Sequence, residues 1–264
     1  MKLTLFHASD LHFGGENPKA ISAAAQWLAD HPADLAVLTG DLTAQGLPSE
    51  FAAARAWIDA LPTPVAVTPG NHDVPYFSLL YRAAMPWTRF RRWLGDRVAP
   101  PPIAGLCLAS LNSARGVQPR LNWSKGALTG SQINRAAARL RTGPAGAVRV
   151  IACHHPLVEV VGGPMTGRVW GGQAAADAFA RAGADLVLTG HVHTPFVQAY
   201  PFGDGRTYAV GAGTLSIRER GVPASFNVVQ VDTDSITVVA QAWTGSHFEP
   251  WRTWHVDRRG AVGR

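Results

Sequence analysis

Apolar and polar positions alternate over residues 2–7, which predicts a short strand. Beyond Asn17-Pro18, a cap followed by proline in the first turn, Ile21, Ala24, Ala25 and Leu28 recur at helical spacing. Residues 35–39 form a continuous apolar run of buried-strand length, Phe51, Ala54, Ile58 and Leu61 share one face of a second helix, and residues 65–67 read as a third strand. Strands separated by helices predict parallel pairing through right-handed crossovers, because a tight hairpin cannot join parallel strands. Further strands fall at 103–110 and 148–153 around a helix starting near Ser131, and a helix over 172–182 precedes a strand at 185–189. There the helical periodicity stops. Segments 196–200, 207–212, 226–231, 235–243 and 248–256 alternate between turn residues and predict an antiparallel region closing the chain, with a frayed tail over 258–264. The stretch from Ala33 to Asp41 echoes that from Ala184 to His191, each a strand ending in Thr-Gly and a metal-capable residue, as if two similar half-sheets met at one site.

Composition narrows this to one ordered α/β domain over 1–257. Of the 264 residues 47% are hydrophobic and only 16% charged, which excludes a disordered, charge-driven chain. No stretch approaches the roughly 20 apolar residues of a membrane span, and a polar run from His7 interrupts any secretory h-region, so a cytoplasmic location is expected. Cys107 and Cys153 sit in apolar runs and read as buried free thiols. The formal charge of +6 suits an anionic ligand, but apart from Arg89, Arg91, Arg92 and Arg258-Arg259 the basic residues are scattered, which gives no argument for nucleic acid.

The chemistry-bearing residues cluster in one respect. Asp10 and His12 follow the first strand, Asp41 the second, Asn71 and His72 the third, His154 the strand at 148–153, and His191 and His193 the strand at 185–189. Carboxyl ends of strands are where open α/β sheets bind ligands. Asp10/His12 and His191/His193 are i, i+2 pairs that leave the same face of extended backbone. Gly40, Gly70 and Gly190 each precede a candidate ligand, where the missing Cβ allows a sharp turn or close approach. Four imidazoles, two carboxylates and one amide oxygen form a mixed N/O set suited to Mn, Fe or Zn and too large for one ion. Two ions sharing a carboxylate fit it. His7, His31, His155, His247 and His255 match no pattern and read as ordinary core or surface residues, His155 lying near enough to support a ligand.

Five motifs, Asp10-Leu11-His12, Gly40-Asp41, Gly70-Asn71-His72-Asp73, His154-His155-Pro156 and Gly190-His191-Val192-His193, stand in the order found in the calcineurin-like metallophosphoesterases, which the chain resembles over roughly residues 3–200. The resemblance implies a four-layer α/β/β/α sandwich of two mixed sheets with a dinuclear centre between their ends. It implies Asp10, His12 and His193 on one metal, Asn71, His154 and His191 on the other, Asp41 bridging, Mn or an Fe/Mn pair as the metals with Zn as an alternative, and His72 as a non-ligand imidazole at the phosphoryl group, oriented by Asp73. Two such cations, about 3.5–4 Å apart, generate hydroxide from a shared water and offset charge in an in-line displacement.

The expected activity is hydrolysis of a small-molecule phosphate ester, foremost a phosphodiester such as a 3′,5′-cyclic nucleotide. Two other substrates share the chemistry. A lipid-linked pyrophosphate or phosphodiester requires an exposed apolar patch near the metals, and a nucleic-acid end requires a basic groove. A non-catalytic scaffold with the same fold would have lost ligand positions, and here all are filled. Specificity is expected in two segments. One spans about 75–102 and interleaves Tyr76, Phe77, Tyr81, Trp87, Phe90 and Trp93 with arginines, suited to core packing, a stacked base, a lipid surface or a homodimer partner. The other is the glycine-rich loop 158–172, a candidate lid over the metals.

Overall fold

The computed structural model describes residues 2–99, 101–159 and 168–259. Among these residues eleven strands form two mixed sheets. In the first, β1 (Leu3–Ala8) lies between β2 (Leu35–Leu38), with which it runs parallel, and β9 (Ser225–Val231), with which it runs antiparallel; β3 (Val65–Val67) and the hairpin β10 (Ser235–Trp243) and β11 (Phe248–Asp257) complete it. The second runs in the order β4 (Leu106–Ser110), β5 (Val148–Ala152), β6 (Leu186–Thr189), β8 (Tyr208–Gly211), β7 (Phe196–Ala199).

Period-two alternation builds the layers. Leu3, Leu5, Leu35 and Val37 point to one side and meet Val148, Val150, Leu186 and Leu188 of the other sheet in a shared core. Phe6, Ala8, Ala36 and Leu38 point outward against Ala24 and Leu28 of α1 (Pro18–Asp30) and Phe51 and Ile58 of α2 (Pro48–Ala60). Ile151 and Val187 likewise point outward against Ala136 and Leu140 of α5 (Gly130–Thr142) and Phe179 of α6 (Gly172–Arg181). The order is α/β/β/α, as the motifs implied. Helix starts follow local chemistry: Asn17 accepts the Ala20 amide at 3.2 Å with Pro18 in the first turn, and Thr129 and Gln132 cap each other's amides at 3.1 and 3.3 Å. Each such cap contributes about 1 kcal/mol.

Three expectations are corrected. The closing strands do not make one antiparallel region: β9 to β11 join the first sheet, while β8 inserts beside β6 and runs parallel to it. Alternation reports which face a residue takes, not which neighbour its strand finds. The tail does not fray at 258, because Arg258 donates to the Gly146 carbonyl at 2.7 Å and Arg259 to Asp204 at 2.8 Å; residues 260–264 lie outside the described residues. Strand β4 begins at Leu106 rather than 103, since the Leu106 amide turns back onto the Ile103 carbonyl at 3.1 Å.

The aromatic segment divides. Phe90 and Leu94 of α4 (Thr88–Leu94) are buried in the core, whereas in α3 (Leu79–Ala84) the polarity is inverted: Leu79 and Leu80 are 64% and 87% exposed, and Arg82 is buried. Both thiols are buried and unpaired with each other. Among the described residues no helix is long and apolar enough to cross a membrane.

Candidate metal centre

At the carboxyl ends of β1, β2, β5 and β6 the two sheets present their turns to one another. Five non-glycine residues have positive φ among the described residues: Asp10 (55°), His12 (49°), Asp41 (51°), His191 (69°) and His193 (59°). All five belong to the expected ligand set. Left-handed backbone at such residues costs on the order of 1–3 kcal/mol each and persists only where surrounding bonds over-determine it. They do so here: the Asp10 amide donates to the Gly40 carbonyl at 3.0 Å, His12 to the Asp41 carbonyl at 3.0 Å, and His191 to Asp10 Oδ2 at 2.9 Å. Glycine is required between them for room. A Cβ on Gly70 would overlap Asp41 Oδ1, and one on Gly190 would overlap Ser9 Oγ.

The side chains converge. Asp10, His12 and His193 bring one donor atom each to within 4.8 Å of one another, as do Asp10, Asp41 and His154, and His154, His155 and His191. Asp41 Oδ2 lies 3.9 Å from His12 Nε2 and 3.3 Å from His154 Nε2, between the first and second groups. His193 Nε2 is 3.0 Å from Asp10 Oδ1. Cation binding is the reading that fits the hydrogen bonds: both ring nitrogens of His12 and Asn71 Oδ1 are buried without hydrogen-bond partners, while Asp10 Oδ1 and His154 Nε2 face only the imidazole of His193 at 3.0 Å and the carboxylate of Asp41 at 3.3 Å. Orphaned donor atoms of this kind, concentrated at one point, are costly unless a ligand engages them.

Outer bonds fix which nitrogen is offered. The His154 Nδ1–H donates to the Thr39 carbonyl at 2.7 Å and the His193 Nδ1–H to the Arg218 carbonyl at 2.7 Å, so that Nε2 of each ring is the atom turned towards the carboxylates. His155 is different. Its Nδ1 meets Ser113 Oγ at 2.9 Å and its Nε2 the Ser124 carbonyl at 2.8 Å, so both nitrogens are engaged and it supports rather than ligates.

Electrostatics agree. Burial pushes both Asp10 and Asp41 upward, but facing imidazoles outweigh it and hold both below the ordinary carboxylate range. Burial disfavours charge on His154, yet Asp41 and Asp10 raise it to about 9, and Asp10 raises His193; His191 is pushed down to about 3 by burial and by His154. A proton on His154 thus takes the place of a cation. At pH 7 filling the centre must displace it, so calorimetric titration of metal into the metal-free protein is expected to release about one proton, with affinity rising as pH climbs towards 9. Heats independent of buffer ionisation enthalpy would contradict this.

His72 sits half-buried at the mouth. Its Nδ1–H donates to the Ala44 carbonyl at 2.7 Å, its ring meets His12 edge-on at 4.8 Å and stacks on Tyr76 at 6.0 Å, and it brings a ring nitrogen to within 4.8 Å of donor atoms of His12 and Asp41. Asp73 does not orient that ring, contrary to expectation. Its buried carboxylate accepts from the Thr43 amide and hydroxyl, both at 2.9 Å, and from the Gly70 amide at 2.8 Å, tying the turn after β2 to the turn after β3. Its pKa rises to about 6, from burial and the nearby Asp41 charge.

One stretch escaped the sequence reading. Thr214 Oγ1 donates to the Asp10 carbonyl at 2.6 Å and bonds Ser216 Oγ at 2.7 Å, and the Arg218 carbonyl anchors His193. The available signal was the alternation of Thr214, Ser216 and Arg218 just past β8, visible only once β8 is known to run parallel to β6 and end at the same edge. Of the expected lid, residues 160–167 lie outside the described residues; Trp170 is held by Gly126 and Leu128 backbone bonds and stacked beneath Arg120.

Comparison with known proteins points the same way. A probable cyclic nucleotide phosphodiesterase of Synechococcus sp. is 27% identical over 247 residues, 89% of each chain. The structure of PhoD superposes with a TM-score of 0.72 at 12% identity, covering 97% of this chain and 70% of that one. Purple acid phosphatase PPD1 from yellow lupin gives 0.67 at 13% identity, covering 98% and 54%. At these identities the structures speak for the fold alone. Residues 3–195 match the family model for calcineurin-like phosphoesterases, and those residues include every candidate ligand. The chain belongs to the calcineurin-like phosphoesterase family.

Proposed function

We propose that the protein is a dinuclear metal-dependent phosphodiesterase. The observation that carries the reading is the convergence of buried ligand atoms of Asp10, His12, Asp41, His154 and His193, beside an Asn71 Oδ1 that has no hydrogen-bond partner. Asp10, His12 and His193 are assigned to one ion, Asn71, His154 and His191 to the other, and Asp41 to both; the mixed N/O set favours Mn or Fe. When bound, such a pair supplies a nucleophile near neutral pH and stabilises charge on the phosphoryl oxygens. The protein's part is positional. Thr39 and Arg218 carbonyls aim the imidazoles, Asp73 fixes the Gly70 turn, and His72, its ring held by the Nδ1–H bond to Ala44, places Nε2 where it can donate to the phosphoryl or leaving-group oxygen when it carries a proton.

A diester substrate, with 3′,5′-cyclic nucleotides as the first candidates, is supported by the Synechococcus relative's name. The lipid-linked alternative has its own support, because Phe77, Leu79 and Leu80 are exposed on the segment that carries Tyr76, which stacks on His72. The deciding experiment is a panel assayed with Mn-loaded protein: cyclic nucleotides, an aryl diester, an aryl monoester and a detergent-dispersed lipid pyrophosphate. Diesters are expected to exceed monoesters at least about tenfold in kcat/KM, an advantage of about 1.4 kcal/mol in the transition state. The reverse order would refute the diesterase assignment, and preference for the lipid substrate would promote the second reading.

A further inference from the structure

Arg218 stands where a substrate anion would arrive. Its main chain is fixed: the amide donates to Ser216 Oγ at 3.2 Å and the carbonyl takes the His193 Nδ1 proton at 2.7 Å. Its side chain is exposed and reaches back across the mouth, Nη1 lying 3.3 Å from His72 Nε2. A guanidinium can only donate, so in this contact it spends a hydrogen bond on an imidazole nitrogen rather than on a carboxylate. One donor of a five-donor fork is engaged. A permanent cation with most of its donors unspent, beside an imidazole at the edge of a metal-suited cluster, matches the planar, multi-oxygen geometry of phosphate.

We propose that Arg218 is a phosphate-recognition residue: the guanidinium moves its donors from His72 Nε2 to a non-bridging phosphoryl oxygen, so that the site reads the negative charge of the ester. This rests on the phosphoesterase reading above, which the test keeps separate. Charge recognition predicts discrimination between a diester, which is a monoanion, and a triester, which carries no charge. Packing would not.

The experiment compares wild type with Arg218→Ala and Arg218→Lys, all Mn-loaded, on an aryl diester and an uncharged aryl triester, with inorganic phosphate affinity measured by calorimetry and metal content by elemental analysis. Metal content is expected to stay unchanged, since the carbonyl that holds His193 belongs to the main chain and survives substitution. Arg218→Ala is expected to lose ten- to a hundredfold in diester kcat/KM, mainly through KM, and about tenfold in phosphate affinity, with triester turnover altered less than twofold. Lysine should restore part of both. Equal losses on diester and triester would overturn the proposal in favour of a structural role, as would unchanged phosphate affinity in the alanine variant. Should wild type hydrolyse neither ester, the phosphodiesterase reading fails, and the phosphate measurement still decides for or against Arg218.

Discussion

Asp41→Ala is expected to lower turnover of bis(p-nitrophenyl) phosphate by on the order of 10³-fold or more, and to reduce bound metal from about two equivalents to one or none. The carboxylate lies between His12 Nε2 at 3.9 Å and His154 Nε2 at 3.3 Å, so it can serve both halves of the centre. Its other oxygen accepts the His72 amide at 2.7 Å, so its removal also loosens the turn that carries Asn71 and His72. Lewis-acid stabilisation of several kcal/mol is at stake, and each 1.36 kcal/mol is about a factor of ten. Undiminished turnover by the variant would end the assignment of a metal-dependent hydrolase. Retention of both ions with turnover lost would instead confine Asp41 to positioning.

A second large effect is expected from a residue with no functional group. Gly70→Ala places a methyl group where Asp41 Oδ1 and the Asp41 amide now lie, and neither is the end of a flexible chain. Relief requires the turn after β3 to move, but the Gly70 amide is bonded to Asp73 at 2.8 Å and Asp73 in turn to Thr43. Overpacking of this kind costs about 1–3 kcal/mol in stability. Loss of the bridging geometry should lower activity as far as Asp41→Ala does. Gly130→Ala is the control, because its Cβ meets nothing within 4 Å at the start of α5, and no loss of melting temperature or activity is expected there. Equal behaviour of the two variants would show that the close approach at Gly70 does not matter.

Much of this was legible in the sequence. A continuous apolar run located β2 because both faces of that strand are buried, and the position of each candidate ligand past a strand end placed the site on one edge. Choosing His154 over His155 depended on the motif, since both are buried and adjacent; the hydrogen bonds to Ser113 and Ser124 that distinguish them come from a loop about 30 to 40 residues away in the chain. Asp73 was misread for a related reason. The motif implied that Asp73 orients the neighbouring ring, whereas the turn sends the carboxylate to Thr43 and the His72 Nδ1–H to the Ala44 carbonyl. The role of residues 214–218 depended on strand order, and alternation along β8 carries no information about its partner.

The donors are divided between the sheets in a way that bears on folding. Asp10, His12, Asp41 and Asn71 come from the ends of the first sheet, and His154, His191 and His193 from the ends of the second. Each proposed ion takes ligands from both. A chain with only one sheet formed therefore offers neither ion its full set, and the hydrolytic centre comes into existence only when the two sheets have docked. On this assignment, occupancy of both metal positions is expected to report completed folding.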